Sequence, residues 1–445
     1  VHPWESFDKP DSSRTVLRGG EGSYVTDAQG NRLLDGPGGM WCVNAGHGRR
    51  EIVKAMADQA GQLSYTSPWS HPTEPSARLA ERLAAVAPGD LNHVFFATGG
   101  STAVDSALRF VMFYNNVLGR PEKKHIISRY DAYHGSTYLS AAVSGKSRDK
   151  NWLDTQLDSV HFISSPNPYR RPEGMDTDSF CRHLVDELEA KILEVGAEKV
   201  GVFIAEPILA SGGVIVPPKG YHAACLGVCR RHDVIYISDE VVTGFGRLGH
   251  WYASEPVFDI TPDIIVSAKG LTSGYIPLSA VIISDRLIQA VGGDSERGAV
   301  FSNGFTYSGH PVSCAAALAN MDVFESEGLL ENARELGPYL QEQLQTLSDL
   351  PIVGDIRGQG LMGCLECVAS QESRQPLTLD YEVGSRIDAH CQALGLLVRP
   401  LINMCVMSPP LCVTREQIDD LTRILREGIV RTMADLQKEG IASFG

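Results

Sequence analysis

The stretch IYISDEVVTGFGRLG, from Ile235 to Gly249, places a run of apolar residues before the spacing G-x-G-x-x-G. That arrangement is typical of a dinucleotide-binding turn, in which the first glycine links the strand directly to a helix. Here Asp239 to Val242 stand between the strand and Gly244, and the next segment, HWYASEPVFDITPD, has two prolines and no helical periodicity. Asp263 precedes the next apolar run, whereas a dinucleotide site needs an acidic residue at its end. The sequence therefore argues against dinucleotide binding and points to the carboxylates inside the stretch.

The composition of the 445 residues is that of a globular enzyme, with 43% hydrophobic residues, 21% charged residues and a formal net charge of -15. A negative balance argues against non-specific nucleic-acid binding, which needs a basic face. No apolar run is long enough to predict a membrane span, and the N-terminal VHPWESFDKPDSS lacks a signal-peptide pattern. Ten scattered cysteines indicate reduced thiols and a cytoplasmic location.

Two cysteine pairs have spacings that occur in metal or redox sites. Cys225 and Cys229 fall on an apparent helix, and Cys364 and Cys367 fall in an apparent strand. A redox pair needs a helix N-terminus to lower its thiol pKa, and none follows. We therefore predict core cysteines and no metal site.

Seven apolar runs alternate with amphipathic segments. The runs are HVFFAT, KHIISR, VHFIS, VGVFIAEP, VIYISDE, DIIVSAKG and LSAVIIS. This pattern predicts an α/β fold with a mostly parallel sheet sandwiched by helices. A smaller α+β domain is predicted from the segments after Phe324 together with the glycine-rich N-terminal strands. We expect an N-terminal segment (1–65) that packs with the small domain, a large domain (66–325) and a C-terminal small domain (326–445).

Three predicted strands end in charged residues, Glu206, Asp239 and Lys269. Ligands of open α/β sheets bind beyond the carboxyl ends of the strands, so these side chains can face one crevice. Lys269 follows a buried strand and begins a glycine-rich turn; the alternative is a lysine that extends from the sheet edge into solvent. Asp239 needs a cationic or hydrogen-bonding partner there, or else it caps the next turn.

The segment ATGGSTAVDSALRF supplies a candidate anion site. Gly100 and the glycine before it leave room at the backbone, and we predict that Ser101 and Thr102 cap the following helix, with Asp105 completing a capping box. A helix N-terminus with free N–H groups suits a phosphate, although a plain capped helix explains the same residues.

These parts together suggest pyridoxal 5'-phosphate. That cofactor needs a lysine for its aldehyde, a carboxylate for its pyridine nitrogen and an anion site for its phosphate. Tyr133 of DAYHGST and Val241 are candidates to pack against its ring.

From about Val16 to Met433 the chain resembles the class III (omega) aminotransferases, which are pyridoxal-phosphate enzymes of fold type I. The resemblance is carried by GSYVTDAQGNRLLDGPGGMWCVNAGHG, DAYHGST, FIAEPI, ISDEVVTGFGRLG, SAKGLTSGYIPLSAV, FTYSGHPVSCAAALA and LLVRP. Any one stretch could arise by chance, but their shared order over most of the chain is specific.

The resemblance implies a role for each site residue. Lys269 would bind the cofactor's aldehyde covalently, and Asp239 would pair with its pyridine nitrogen. Tyr133 and Val241 would sandwich the ring, and Glu206 would lie on its hydroxyl side.

The resemblance also implies a homodimer with shared sites. Gly100 and Ser101 would hold the phosphate together with Thr306 from the second subunit. Many relatives read N-S-G-S-E where this chain has Thr98 to Thr102 (TGGST), so the side-chain contacts at this anion site stay open.

For the substrates, the resemblance implies a pocket wall at Trp41, with Tyr65 or Trp69 contributed by the partner. Arg399 of LLVRP would bind a substrate carboxylate, which suits the bidentate geometry of a guanidinium. The expected reaction moves an amino group from a primary amine or omega-amino acid to a keto acid such as pyruvate. The alternatives are an aminomutase or a decarboxylating aminotransferase on the same scaffold, or a non-catalytic protein that binds the cofactor.

Overall fold

The computed structural model describes Pro3, residues 14–292 and residues 298–444. Residues 1–2 and 4–13 of the predicted N-terminal segment lie outside the described residues, as do residues 293–297 and Gly445.

The secondary structure alternates strands and helices through most of the chain. The strands are β1 (Leu17–Glu21), β2 (Tyr24–Asp27), β3 (Arg32–Asp35), β4 (Leu91–Ala97), β5 (His125–Arg129), β6 (Val160–Ile163), β7 (Val200–Ala205), β8 (Ile235–Asp239), β9 (Ile264–Ser267), β10 (Ser279–Ser284), β11 (Val353–Gln359), β12 (Met362–Cys367), β13 (Leu396–Leu397), β14 (Arg399–Leu401) and β15 (Met404–Met407). The helices are α1 (Gly38–Trp41), α2 (Arg50–Gln62), α3 (Glu74–Val86), α4 (Gly100–Val117), α5 (Tyr138–Val143), α6 (Thr177–Val195), α7 (Tyr221–Arg231), α8 (Ser254–Phe258), α9 (Asp285–Gly292), α10 (Pro311–Ser326), α11 (Leu329–Gln345), α12 (Asp380–Ala393) and α13 (Arg415–Lys438). Thr73, Asp176 and Thr414 begin α3, α6 and α13 because each side chain accepts a backbone N–H of the first turn.

The central sheet has seven strands in the order β4-β10-β9-β8-β7-β5-β6. The ladders among β9, β8, β7, β5 and β6 are parallel, whereas β10 pairs antiparallel with both β4 and β9. All seven strands coincide with the seven apolar runs, which confirms the mostly parallel sheet. Every residue of β7, β8 and β9 is buried, as expected for strands covered on both faces.

Successive side chains of the central strands enter different cores. Val202 and Ile204 pack with α4, whereas Phe203 packs with α6 and α7 on the opposite face. The same alternation continues in β8, where Ile237 and Tyr236 point to opposite layers. At about 1.5–3 kcal/mol for each large side chain buried, these two helical layers hold the sheet in place.

The smaller domain joins the two ends of the chain. Its antiparallel sheet has the order β11-β12-β15-β14, α11 and α12 pack on this sheet, and α13 packs on those two helices. A second sheet, β1-β2-β3-β13, pairs Leu34 of the N-terminal hairpin with Leu396 in a parallel ladder. The described N-terminal strands therefore share a sheet with a strand from the C-terminal part of the chain.

Local details refine the sequence predictions. The segment predicted without a helix contains the five-residue helix α8, but this helix starts well after Gly244 and so creates no dinucleotide turn. All ten cysteines are free, and the two suspect pairs are buried in the core. The described residues hold no group of metal-ligating side chains and no helix that is long and apolar enough to cross a membrane.

Candidate active site

A cavity of about 890 Å³ opens beyond the carboxyl ends of the central strands. Nine of the predicted site residues line it: Trp41, Gly100, Ser101, Tyr133, Glu206, Asp239, Val241, Lys269 and Arg399. The sheet order explains this convergence, because β7, β8 and β9 are neighbours and their ends deliver three of these side chains to one place.

Asp239 is a buried carboxylate with two specific partners. Its Oδ2 accepts a hydrogen bond from Nδ1 of His134 at 2.7 Å, and its Oδ1 accepts the backbone N–H of Val241 at 3.1 Å. The His134 ring is fully buried and its Nε2 has no partner among the described residues. This pair fixes the aspartate and offsets the cost of burying it.

Sequence reasoning missed His134. His134 stands between Tyr133 and Gly135 in the motif DAYHGST. Because Tyr133 is a candidate to pack against the ring, the next residue could also have been considered for the site. Its contact with Asp239 depends on tertiary structure and has no trace in sequence spacing.

Lys269 reaches the cavity from a strained backbone. Its φ of 45° lies in the left-handed region, which is unfavourable for a residue with a Cβ. A Cβ on Gly270 would approach the Cβ of Phe245 to 2.7 Å, so the turn after the lysine is tightly packed. The Lys269 amine forms no hydrogen bond or ion pair with the residues that the structure describes. Strain of this kind occurs where the surroundings over-determine a functional geometry.

Glu206 lies next to this pair at the end of β7. Its two oxygens accept the backbone N–H groups of Tyr133 at 2.9 Å and Ala210 at 3.1 Å. Burial raises the pKa of the Glu206 carboxyl, and the charge of Asp239 raises it as well.

The anion site at α4 is present, but its capping differs from the prediction. The helix starts at Gly100, after extended Gly99, and the hydroxyl of Thr102 accepts the N–H of Gly99 at 3.0 Å. The predicted capping box with Asp105 is wrong, because that carboxylate accepts the N–H of Ser140 at 2.8 Å. Thr102 is the third residue of the helix, so it reaches back to the start and leaves the first helical N–H groups for another acceptor.

The first residue of α4, Gly100, has no side chain, and the space beside it is limited. A Cβ at Gly100 would lie 3.2 Å from Cγ1 of Val241, closer than side chains normally pack. A residue with a side chain at position 100 would therefore press against Val241 at the wall of the cavity.

Trp41 and Arg399 form the opposite wall. The Arg399 guanidinium carbon lies 4.5 Å from the centre of the Trp41 ring, a cation–π contact. Burial lowers the pKa of Arg399, and its Nε has no partner among the described residues. A partly buried guanidinium with an unused donor is suited to a carboxylate ligand.

Three predicted site residues do not line this cavity in the described chain, namely Tyr65, Trp69 and Thr306. Tyr65 donates its hydroxyl to the carbonyl of Thr306 at 2.9 Å and stacks edge-on with Tyr307 at 5.8 Å. Trp69 is 66% exposed and borders Gly304 in the same region. The three residues thus lie together on an outward-facing aromatic surface of the chain.

Similarity to known proteins identifies the family of the chain. The sequence model of the family Aminotransferase class-III matches residues 8–429. The chain is a class III aminotransferase. It is 40% identical over 423 residues to the putrescine–pyruvate aminotransferase of Pseudomonas aeruginosa, across 94% of this chain and 91% of that protein. It is 38% identical to the diaminobutyrate–2-oxoglutarate transaminase of Halomonas elongata, across 98% of this chain and 94% of that protein.

A solved structure supports the fold. The omega transaminase of Pseudomonas jessenii in complex with PMP is 34% identical, with a TM-score of 0.94, 100% of this chain covered and 98% of that chain. As members of its family do, this aminotransferase transfers amino groups and depends on pyridoxal 5'-phosphate.

The residues of this class III aminotransferase fit that cofactor. The cavity holds a primary amine without a partner, a buried carboxylate anchored by a histidine, and the start of a long helix. An aldehyde, a protonated pyridine nitrogen and a phosphate need this set of groups.

Proposed function

We propose that Lys269 and Asp239 carry the catalysis of this aminotransferase, with a primary amine or omega-amino acid as donor and a keto acid such as pyruvate as acceptor. The observation that carries the proposal is the unpaired Lys269 amine in one cavity with an aspartate that His134 holds in place.

When bound, pyridoxal 5'-phosphate supplies an aldehyde that carries the amino group and a ring that accepts electron density. Asp239 then holds a proton on the pyridine nitrogen through a charge-assisted hydrogen bond. The Lys269 amine would remove the proton from the amine-bearing carbon of the substrate as general base and deliver a proton as general acid.

The surrounding residues position the ring. Tyr133 and Val241, which line the cavity, would pack on its two faces, and Glu206 would lie on its hydroxyl side. Gly100 and Ser101 provide N–H groups of α4 for the phosphate, supported by their place in the cavity at a helix N-terminus.

The functional unit that we propose is a homodimer with shared sites. Tyr65, Trp69 and Thr306 lie together and outside their own cavity, which supports a role for all three in the partner's cavity. Thr306 would complete the phosphate site, and the two aromatic residues would close the substrate pocket. We also propose a cytoplasmic location, which ten free cysteines support.

Trp41 and Arg399 define the substrate side in this proposal. The guanidinium binds the carboxylate of the keto acid, and the indole wall packs against the substrate carbon chain. The relative named putrescine–pyruvate aminotransferase supports pyruvate as the acceptor for this chain.

The test combines a spectrum with product formation. The purified protein should absorb in the near-visible region through its lysine-bound cofactor, and it should form alanine from pyruvate with 1-phenylethylamine, β-alanine, taurine or putrescine. Lys269→Ala should lose both the band and the alanine. The control is Lys150→Ala, because that amine donates to the carbonyl of Ala142 at 2.7 Å and does not line the cavity.

Two results would contradict the proposal. An unchanged spectrum in Lys269→Ala would remove the lysine from its assigned role. Absence of alanine with every donor, despite a normal spectrum, would favour an aminomutase or a decarboxylating reaction.

A further inference from the structure

A buried lysine that the reaction does not use lies in the same cavity. Lys146 follows α5, is only 9% exposed and lines the cavity. Its amine donates to the carbonyl of Ser211 and lies 5.7 Å from the centre of the Tyr133 ring. The fold therefore holds an ammonium group beside the ring that we propose packs on the cofactor.

The positive charge of the Lys146 amine is not balanced by an ion pair within the described part of the chain. It has no carboxylate within ion-pair distance among the described residues, although an ammonium group has three N–H donors. Burial is the main reason that the pKa of Lys146 is lowered to about 8, and the positive charge of Arg148 contributes to that shift. An anion that enters the cavity and pairs with Lys146 would offset the free-energy cost of burying this positive charge.

Two more cations share this wall. Arg148 and Arg399 both line the cavity, and Arg148 is paired with Asp149 at 3.1 Å. Lys146 thus lies near two further cations and two carboxylates, Asp149 and Glu206. Both carboxylates are already engaged, since Asp149 pairs with Arg148 and Glu206 accepts the backbone N–H groups of Tyr133 and Ala210.

We propose that Lys146 and Arg148 form a second anion site beside Arg399, and that they select amino donors with a carboxylate or sulfonate at the end distant from the amine. This proposal rests on the function proposed above and assigns its specificity. Arg399 binds the carboxylate of the keto acid, whereas Lys146 and Arg148 bind the distal anion of the donor.

The cofactor's own phosphate is the competing occupant of such a site. The start of α4 already provides N–H groups for a phosphate at Gly100 and Ser101. Lys146 contacts Ser211, in the loop after β7, and so lies with Glu206 instead of with the helix start. The position of Lys146 therefore favours a substrate group.

The experiment compares each anionic donor with a neutral alkyl amine that lacks the anionic group. With pyruvate as acceptor, kcat/KM is measured for 4-aminobutyrate against n-butylamine, and for taurine against ethylamine. In Lys146→Met the values for the two anionic donors should fall by about tenfold or more, as expected for loss of a charge-assisted contact, while those for the neutral amines stay within about twofold. The carboxylate and sulfonate pairs show separately which anion the site prefers.

Lys150→Met is the matched control. Lys150 lies in the same loop but does not line the cavity, so neither class of donor should respond. Equal losses for anionic and neutral donors in Lys146→Met would overturn the proposal, because a purely structural lysine affects both. If the wild-type enzyme converts no donor of either kind, the proposed function fails and this inference fails with it.

A second measurement on the wild-type enzyme needs no variant. Lys146 faces Arg148, Asp149, Glu206, Arg399 and the ring of Tyr133. Since the lysine is charged below its pKa of about 8 and neutral above it, the preference for anionic donors should decline from pH 7 to 9.5, while the arginines keep their charge. A preference that stays constant over this range would count against Lys146 as its source.

Discussion

At the scale of single residues, Arg399 shows how a partly buried positive charge can be available for a ligand. Its guanidinium rests on the Trp41 ring and has a donor nitrogen without a partner, so the missing acceptor is expected from the substrate. Arg399→Ala should raise the KM for pyruvate by about tenfold or more, since a bidentate charge-assisted contact is lost. The KM for a neutral amine donor should change by less than about twofold. Steady-state kinetics with each substrate varied in turn measures both values.

The control for this residue is Arg415→Ala. Arg415 also stacks on an aromatic ring, with 3.9 Å between its guanidinium carbon and the centre of Tyr339, but it lies outside the cavity. This variant should leave both constants unchanged. If Arg399→Ala raised the KM for the keto acid and the amine equally, carboxylate binding would not be its role.

At the scale of elements, the loop from Asp131 to Thr137 is fitted to the first turn of α4. Gly135 has a φ of 143°, and a Cβ there would lie 2.7 Å from Cα of Ser101. Gly135→Ala should therefore push the loop away from the helix start and weaken cofactor binding by about tenfold or more, through strain of about 1–3 kcal/mol. Titration of the cofactor-free protein with pyridoxal 5'-phosphate measures this affinity. Gly174→Ala is the control, since Gly174 also has a positive φ but a Cβ there meets no atom within 4 Å. Equal affinities of the two variants would show that the fit is not needed.

Sequence patterns identified the strands and their polar ends, because a strand buried on both faces must be apolar along its whole length. They did not identify contacts between distant elements. Three examples are the hydrogen bond between His134 and Asp239, the burial of Lys146, and the hydrogen bond from the N–H of Gly99 to the hydroxyl of Thr102. Each of these features depends on how the loops pack after the sheet has formed. Local spacing carries no information about such packing.

At the scale of the whole molecule, the proposed shared site predicts complementation between subunits. Lys269→Ala and Thr306→Glu chains, co-expressed with different tags, should give mixed dimers with about half the wild-type activity, because one of the two sites is intact. Each variant alone should be nearly inactive, since the first lacks the amine and the second places a carboxylate beside the partner's phosphate. Activity of dimers isolated through both tags is the measurement.

The reciprocal pairing is the control. A chain with both substitutions, combined with a wild-type chain, should be inactive if the sites are shared, because neither site is then complete. Activity near half the wild-type value in that pairing would show that each subunit holds its own Thr306.

The parallel ladder between β3 and β13 has a consequence for biosynthesis. Leu34 leaves the ribosome early, but its ladder partner Leu396 is translated about 360 residues later. At roughly 5–20 residues per second, the N-terminal hairpin waits on the order of 20–70 s for a partner. During that interval its open edge is exposed to other nascent chains, and the seven-stranded sheet can be complete before the two ends of the polypeptide meet.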